Sequence, residues 1–437
     1  MRHAPVSKLK LRVVLIAVVA ILLYSATVSA DTVTDWNLIT VNATKTAGLN
    51  SNLGSRVDAI EAIAVYDAVN SISHFGTPYH YSTPATLPAS TVAAAAQAAH
   101  DVLVAIFPAQ KPSLDTSLAS SLAGIPDPEK SNGTAAGAAA AVNILGLRSS
   151  DGSTPDVPYP ATGVTGVGQW RPTPTAFASG INSQWGSLTP FVLDSPNQFR
   201  PSAPPPVGSN RYNTALAEVK GIGSASSTTR TVDQTHIAQF YKQDAELTVN
   251  EAARLLAVAH GGSIENNALV FALVDIAVAD SRIAIWDAKY TYKFWRPVTA
   301  LNANPDGTVT NGYSAWTPLI TTPAHPEYPS GHSGTVAAGV VILQKFYGDY
   351  NTLTLHTTTA GEPARTVTSL SQIAEENGLS RIYGGIHYEF SNVRAQRLGR
   401  EVAETALEHG PHEVRRHNHR ERGDGDSDDD DRDHDRY

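Results

Sequence analysis

HPEYPSGHSG, residues 325–334, runs directly into the apolar stretch TVAAGVVIL, residues 335–343. Pro329, Ser330, Gly331 and His332 stand in four consecutive positions at its heart. Proline fixes one backbone angle, glycine lets the backbone approach a ligand closely, and the apolar run predicts a helix over Ser333–Tyr347. A turn of this kind aims backbone N–H groups, a hydroxyl and an imidazole at one point. A helix N-terminus so built is an anion site.

The rest of the chain predicts a mainly α protein. Helical spacing of apolar residues marks Asp58–Ile72, Ser90–Phe107 and Thr134–Leu147, then Asn210–Gly221, Asp233–Asp244 and Asn250–His260. The longest candidate helix runs from Ile264 to about Trp295, with Pro297 as its stop. Leu370–Ile382 and Val393–Glu408 complete the set, and strand alternation is nowhere sustained. Between Ser149 and Gly208 the chain turns to Gly, Pro, Ser and Thr around Trp170 and Trp185. That segment reads as a long ordered excursion over one face of a helical core, with disorder as the alternative.

The two ends have another character. Arg2, Lys8, Lys10 and Arg12 precede an apolar run, Val13–Leu23, and Val28 and Ala30 stand at −3 and −1 before Asp31. Residues 1–30 therefore read as a secretory signal peptide, and the protein as secreted or periplasmic. An uncleaved anchor is the alternative, but the run falls short of the ~20 residues a span needs. Cleavage removes four of the 32 basic side chains and none of the 41 acidic ones, taking the formal charge from −9 to −13. So acidic a chain is a poor ligand for nucleic acid or an anionic membrane. With no cysteine, thiolate chemistry and disulfides are excluded, and the single methionine is Met1. A chain without methionine or cysteine also suits an enzyme that releases an oxidant. Residues 411–437, rich in Asp, Arg and His, read as a disordered tail.

Three segments carry chemistry. DAKYTYKFWRP places Lys289 and Arg296 seven residues apart, two helical turns, with both cations on one face. The quoted stretch adds Ser330, Gly331 and His332. LSRIYGGIHYEFSN adds Arg381 and, after the Gly384–Gly385 pair, His387. Each alone has a bland structural reading. The ordered set Lys-(six)-Arg-Pro, Pro-Ser-Gly-His, Ser-Arg-(five)-His is far more specific than its parts.

The set resembles the superfamily that joins vanadium-dependent haloperoxidases, bacterial acid phosphatases and type 2 phosphatidic acid phosphatases. The match is motif-specific over Lys289–His387, and looser over VYDAVNSI (65–72), the Trp170–Trp185 loop and ADSRIAIWDAKY (279–290). Length and flanks look most like secreted bacterial haloperoxidase-type members. The resemblance implies two packed helical bundles with long Pro/Gly-rich loops, at 31–208 and 209–410, the second carrying the site. It implies one vanadate per chain, bound covalently to His387 as the metal ligand. Lys289, Arg296 and Arg381 would neutralise the equatorial oxygens, Ser330 and the Gly331 N–H would add hydrogen bonds, and His332 would be the acid/base. Hydrogen peroxide and halide would be the substrates. Trp286 and His325 match the halide pocket, and a histidine at 325 tilts the preference toward bromide. The alternatives are a phosphatase or phosphotransferase working through a phosphohistidine at His387, and a non-catalytic oxyanion-binding protein. One departure stands out. The superfamily's His-(three)-Asp ends here in Ser391, so a serine hydroxyl, Glu389 or a residue elsewhere must orient His387. Organic acceptor and oligomeric state are not legible.

Overall fold

A computed structural model describes residues 31–159 and 166–414. The expected signal peptide, and all but the first four residues of the expected tail, lie outside these. Helices dominate: α1 (Thr32–Thr46), α2 (Ser51–Ser73), α3 (Thr91–Ile106), α4 (Lys111–Ser121), α5 (Glu129–Leu147), α6 (Asn210–Ile222), α7 (Val232–Phe240), α8 (Ala245–His260), α9 (Ile264–Tyr292), α10 (Pro297–Ala300), α11 (Gly331–Tyr347), α12 (Leu370–Tyr383) and α13 (Glu389–His409). Among the described residues the only sheet is the antiparallel pair β1 (Leu353–Leu355) and β2 (Arg365–Val367). No described helix is long and apolar enough to cross a membrane.

The centre is α9. Apolar residues surround it on every side, and such a helix can only be satisfied when buried all round. It packs against α2 on one flank and against α11 and α13 on the other. The alanine-rich α3 packs closely on α5, because a side chain at Gly133 or Gly137 would collide with the backbone of Ser90 or Ala94. One continuous apolar core runs from Trp36 on α1 through α9 to Ala406 on α13. Division of the chain near residue 208 thus remains our proposal for how the two bundles are delimited.

Two details differ from the sequence reading. Helix α9 stops at Tyr292, where Lys293 takes a left-handed conformation with φ 48°, rather than running on toward Trp295. Pro297 opens a helix instead of ending one: it is the first residue of α10, where its missing N–H has no bond to lose. Arg296 therefore lies beyond α9, and the two-turn spacing from Lys289 does not put both on one helical face.

Among its described residues, the segment between α5 and α6 has almost no regular structure, only a short 3₁₀ turn at Ser183–Ser187. It is fastened to α9 instead. The Asp280 carboxylate accepts the N–H groups of Phe191, Val192 and Leu193 at 2.7, 2.8 and 3.0 Å. Tyr290 donates to the Ile181 carbonyl at 2.6 Å, and Trp170 and Trp185 are buried. At the other end, the Val414 N–H donates to Phe75 O, and the Thr77 N–H to His412 O, so residues 411–414 pair with 75–77.

Close contact between α11 and α13 fixes the two elements that flank the site. A Cβ at Gly399 would strike the Gly334 carbonyl oxygen and approach Ala338 N to 3.1 Å. Gly399→Ala should destabilise the protein by about 1–3 kcal/mol, the usual effect of overpacking; an unchanged urea midpoint would contradict this contact.

Buried carboxyls make stability pH-dependent. Asp58 and Glu61 on α2 are pushed well up by burial, Asp275 on α9 to about 7 and Glu246 on α8 to about 8. The folded state holds protons here that the unfolded chain has released, so stability falls as pH rises. Buried histidines oppose this only below their ordinary value near 6.5, and Lys289, whose pKa is lowered, opposes it as one group against several. Unfolding of the ligand-free protein should therefore need less urea at pH 8.5 than at pH 6.5.

Candidate active site

Where α9 ends, the backbone turns at Lys293, runs through Arg296 and reaches the quoted stretch, which begins α11. The α12–α13 junction closes the ring. These three pieces bring together every residue the sequence singled out for the oxyanion site. Lys289, Arg296, Ser330, Arg381 and His387 are all buried, and His332 is half-buried.

The cations are held by neutral groups. Lys289 Nζ donates to the carbonyls of Pro326 and Glu327 at 2.8 and 3.0 Å. Arg296 donates from Nε to His325 O at 3.0 Å and from Nη1 to Ile386 O at 2.9 Å. Arg381 donates from Nε to Ser380 Oγ at 2.8 Å and from Nη2 to the Tyr241 carbonyl. Carbonyls fix a cation's position but leave its charge intact. Burial accordingly lowers all three: Lys289 well below its ordinary value, with Arg296 adding repulsion, Arg296 to about 10 and Arg381 to about 9. Such a centre calls for an anion.

One carboxylate stands among them. Glu327 Oε1 accepts from His387 Nδ1 at 2.7 Å and from the Tyr388 N–H at 3.1 Å. Burial raises its pKa to about 7 while Arg296 and Lys289 pull it down. A carboxylate can only accept from Nδ1, so Nε2 carries the imidazole's lone pair. Nε2 lies 3.0 Å from Arg296 Nη1. Burial, then Arg296 and Lys289, keep His387 neutral.

Glu327 is the residue that orients His387, and the sequence reading passed over it. Ser391 does not contact His387; its hydroxyl points to the Glu327 carbonyl at a long 3.5 Å. Glu389 lies out at 4.0 Å from Arg211. The signal was present in HPEYPSGH, a glutamate amid turn residues, but only the folded chain brings it to residue 387.

His332 donates from Nε2 to the Gln243 carbonyl at 2.9 Å, leaving Nδ1 as its basic nitrogen. Burial, with Arg381 and Arg282 nearby, lowers its pKa well below the usual range. Trp286 and His325 meet with ring centroids 4.9 Å apart, and His325 Nδ1 lies 3.1 Å from Arg296 Nη2. Together with Gly331, Arg381 and His387 they line a cavity of about 220 Å³. Ser330, buried next to Gly331, accepts at its Oγ from Ser333 Oγ at 2.8 Å.

A family model for the VCPO second helical-bundle domain matches residues 269–415. A crystal structure entitled the first bacterial vanadium-dependent iodoperoxidase is similar over 86% of this chain and 96% of its own, with 25% identity and a TM-score of 0.76. These likenesses support the vanadium haloperoxidase superfamily for this chain, with residues 269–415 matching its second helical-bundle domain. Vanadium chloroperoxidase from Curvularia inaequalis is 29% identical over 178 residues, 33% of this chain; the match spans 29% of the fungal protein. A holo-type bacterial vanadium-dependent chloroperoxidase shares the fold, with a TM-score of 0.66 and 18% identity over 82% of this chain and 91% of its own.

The donors present suit the oxyanion of vanadium that gives the superfamily its name. Among the described residues no three His, Asp or Glu side chains converge as metal ligands. What the site offers instead is one imidazole lone pair facing three buried cations and a helix N-terminus. Binding to the native state alone stabilises it by about 2.7 kcal/mol at a hundred times Kd. Orthovanadate or phosphate should therefore raise the melting temperature of the apoprotein, and Arg296→Ala should abolish the rise; a wild-type protein indifferent to both anions would refute the cradle.

Proposed function

We propose that this protein is an exported vanadium-dependent haloperoxidase that uses hydrogen peroxide to oxidise halide, bromide in preference to chloride, to a hypohalous acid equivalent. The observation that carries the reading is the Glu327–His387 hydrogen bond. It leaves Nε2 unprotonated beside the buried cations, its lone pair met only by Arg296 Nη1, and an unprotonated nitrogen is what ligation of a metal oxyanion by one imidazole requires. Bound vanadate would supply a Lewis-acidic centre that activates peroxide toward attack by halide. Lys289, Arg296 and Arg381 hold its oxygens, with Ser330 and the Gly331 N–H as further donors. His332 enters neutral, so its free nitrogen takes a proton as peroxide binds. Its Nε2–H stays on Gln243, which keeps the tautomer from switching.

Trp286 and His325 form the halide wall, and His325 replaces a purely apolar surface with an imidazole held against Arg296. Phosphotransfer through a phosphohistidine at His387 is the second reading. In its favour, Glu327 supplies the carboxylate that would steady a charged His387, in place of the Asp that Ser391 replaces. Against it stands that the relatives matched above are named as peroxidases.

Purified mature protein loaded with orthovanadate should brominate a phenol dye in the presence of peroxide, and His387→Ala should lose both activity and vanadate. His332→Ala should retain vanadate while turnover falls by about 10²-fold or more, the usual contribution of a positioned acid/base. Metal-free hydrolysis of a chromogenic phosphate ester, inhibited by vanadate, would sink the peroxidase in favour of the phosphatase.

A further inference from the structure

A protein that meets a hypohalous oxidant loses cysteine and methionine sulfur first, and the electron-rich indole and phenol rings follow. This chain has no cysteine, and its single methionine is Met1. All six tryptophans are buried, none more than 8% exposed. The tyrosines among the described residues are buried or half-buried as well, with one exception. Tyr350 is 92% exposed.

Tyr350 stands in the loop between α11 and β1, and both its neighbours are fastened. Asp349 accepts at Oδ1 from Gln344 Nε2 at 2.7 Å and at its carbonyl from the Leu370 N–H at 2.9 Å. Asn351 donates from Nδ2 to the Gly348 carbonyl at 3.0 Å. The ring between them is turned outward by a loop that is itself tied down. It adds nothing to the core, and its carbons are open to whatever the surrounding water carries. The exposed imidazole of His260 donates to Asn351 Oδ1 at 3.1 Å, which sets a second nucleophile one residue away. Bromine taken up by imidazole or lysine nitrogen is passed on, whereas bromine on a ring carbon stays.

The loop is remote from the chemistry. His332 is the second residue of α11 and Tyr347 the last, about 22 Å apart along the helix. An oxidant made at the cavity has to leave it to reach this ring.

We propose that Tyr350 is a self-modification site, brominated on the ring carbon beside its hydroxyl by the hypobromous acid equivalent that the active site releases. The proposal deepens the haloperoxidase reading and rests on it for the source of the oxidant. In the step, the ring carbon gives an electron pair to bromine, the O–Br bond breaks and a C–Br bond forms. The ring proton leaves with the hydroxide as water, and bromine is reduced by the two electrons that the ring loses. Because the mark falls beyond the far end of α11, it leaves the oxyanion site as it was.

Reagent hypobromite, below one equivalent, is added to the vanadate-free protein, sulfite then strips bromine from nitrogen, and peptides are mapped by mass spectrometry. The Tyr350 peptide should carry carbon-bound bromine at least tenfold above any other tyrosine or tryptophan peptide between residues 31 and 414. The same peptide should be marked when the vanadate-loaded enzyme turns over bromide and peroxide without an organic acceptor. Tyr350→Phe should lose the mark and keep the initial rate of bromide oxidation within about twofold. Bromine spread evenly over the tyrosines, or found first on Trp286 in the cavity wall, would overturn the proposal. So would a loaded enzyme that brominates a phenol dye yet leaves Tyr350 unmarked. If reagent hypobromite marks Tyr350 and the loaded enzyme brominates nothing at all, the haloperoxidase reading fails as the source of the oxidant while the selection of this ring stands.

Discussion

Burying Lys289, Arg296 and Arg381 around the single carboxylate of Glu327 is the constraint to which the rest of the structure answers. An uncompensated buried charge is strongly destabilising, and a cation is tolerated in the interior only where its N–H groups are fully met. Here carbonyls meet them: those of His325, Pro326 and Glu327 from one turn, Ile386 from the α12–α13 junction, and Tyr241 from beyond α7. Each of these segments has to lack regular structure at that point, since a carbonyl inside a helix is already occupied. The breaks in the helices are thus placed by the site. The electrostatic tension that remains is what an anion relieves, and a centre prepared this way needs little reorganisation when charge develops on a bound group.

Much of this was legible in the sequence, for identifiable reasons. Helices with an apolar stripe or an alanine-rich face, such as α3 and α11, announce themselves by periodicity, and α9 by the length of its apolar run. The oxyanion residues announce themselves because turn chemistry crowds Pro329 to His332 into one place. What was not legible depends on the path of the chain. Helix α1 is rich in threonine and valine, which blur helical preference, and it forms because Trp36 and Val33 are buried against the core. Helix α4 has a single buried residue, Leu114, so no stripe marks it.

The site shows the same division. Lys289 and Arg296 do come together, both bonded to the turn at His325–Glu327, but the helical spacing that suggests their convergence is not what produces it; the left-handed turn at Lys293 does. For the partner of His387 the sequence names only Ser391 and Glu389, within a turn downstream, and otherwise leaves it to a residue elsewhere, because local spacing is what a sequence displays. It lies 60 residues upstream at Glu327. A contact across that separation leaves no periodic trace, and glutamate in a proline-rich turn looks like any other polar spacer.

The ribbon from Arg148 to Gly208 has one more implication. Its hold on the molecule combines hydrogen-bonded rivets, the Asp280 carboxylate under three successive amides and Tyr290 under Ile181, with the side chains of Trp185, Leu188, Phe191 and Leu193 buried in the core. Between these holds, exposed positions such as Val167 and Phe177 can change without disturbing the helices beneath. Ile181 is both a rivet point and part of the cavity wall. The floor of the cavity is therefore written in architecture that tolerates little revision, and its rim partly in a segment whose exposed positions are open to change. A scaffold so divided can acquire new acceptors at its mouth while the chemistry at its base stays as it was.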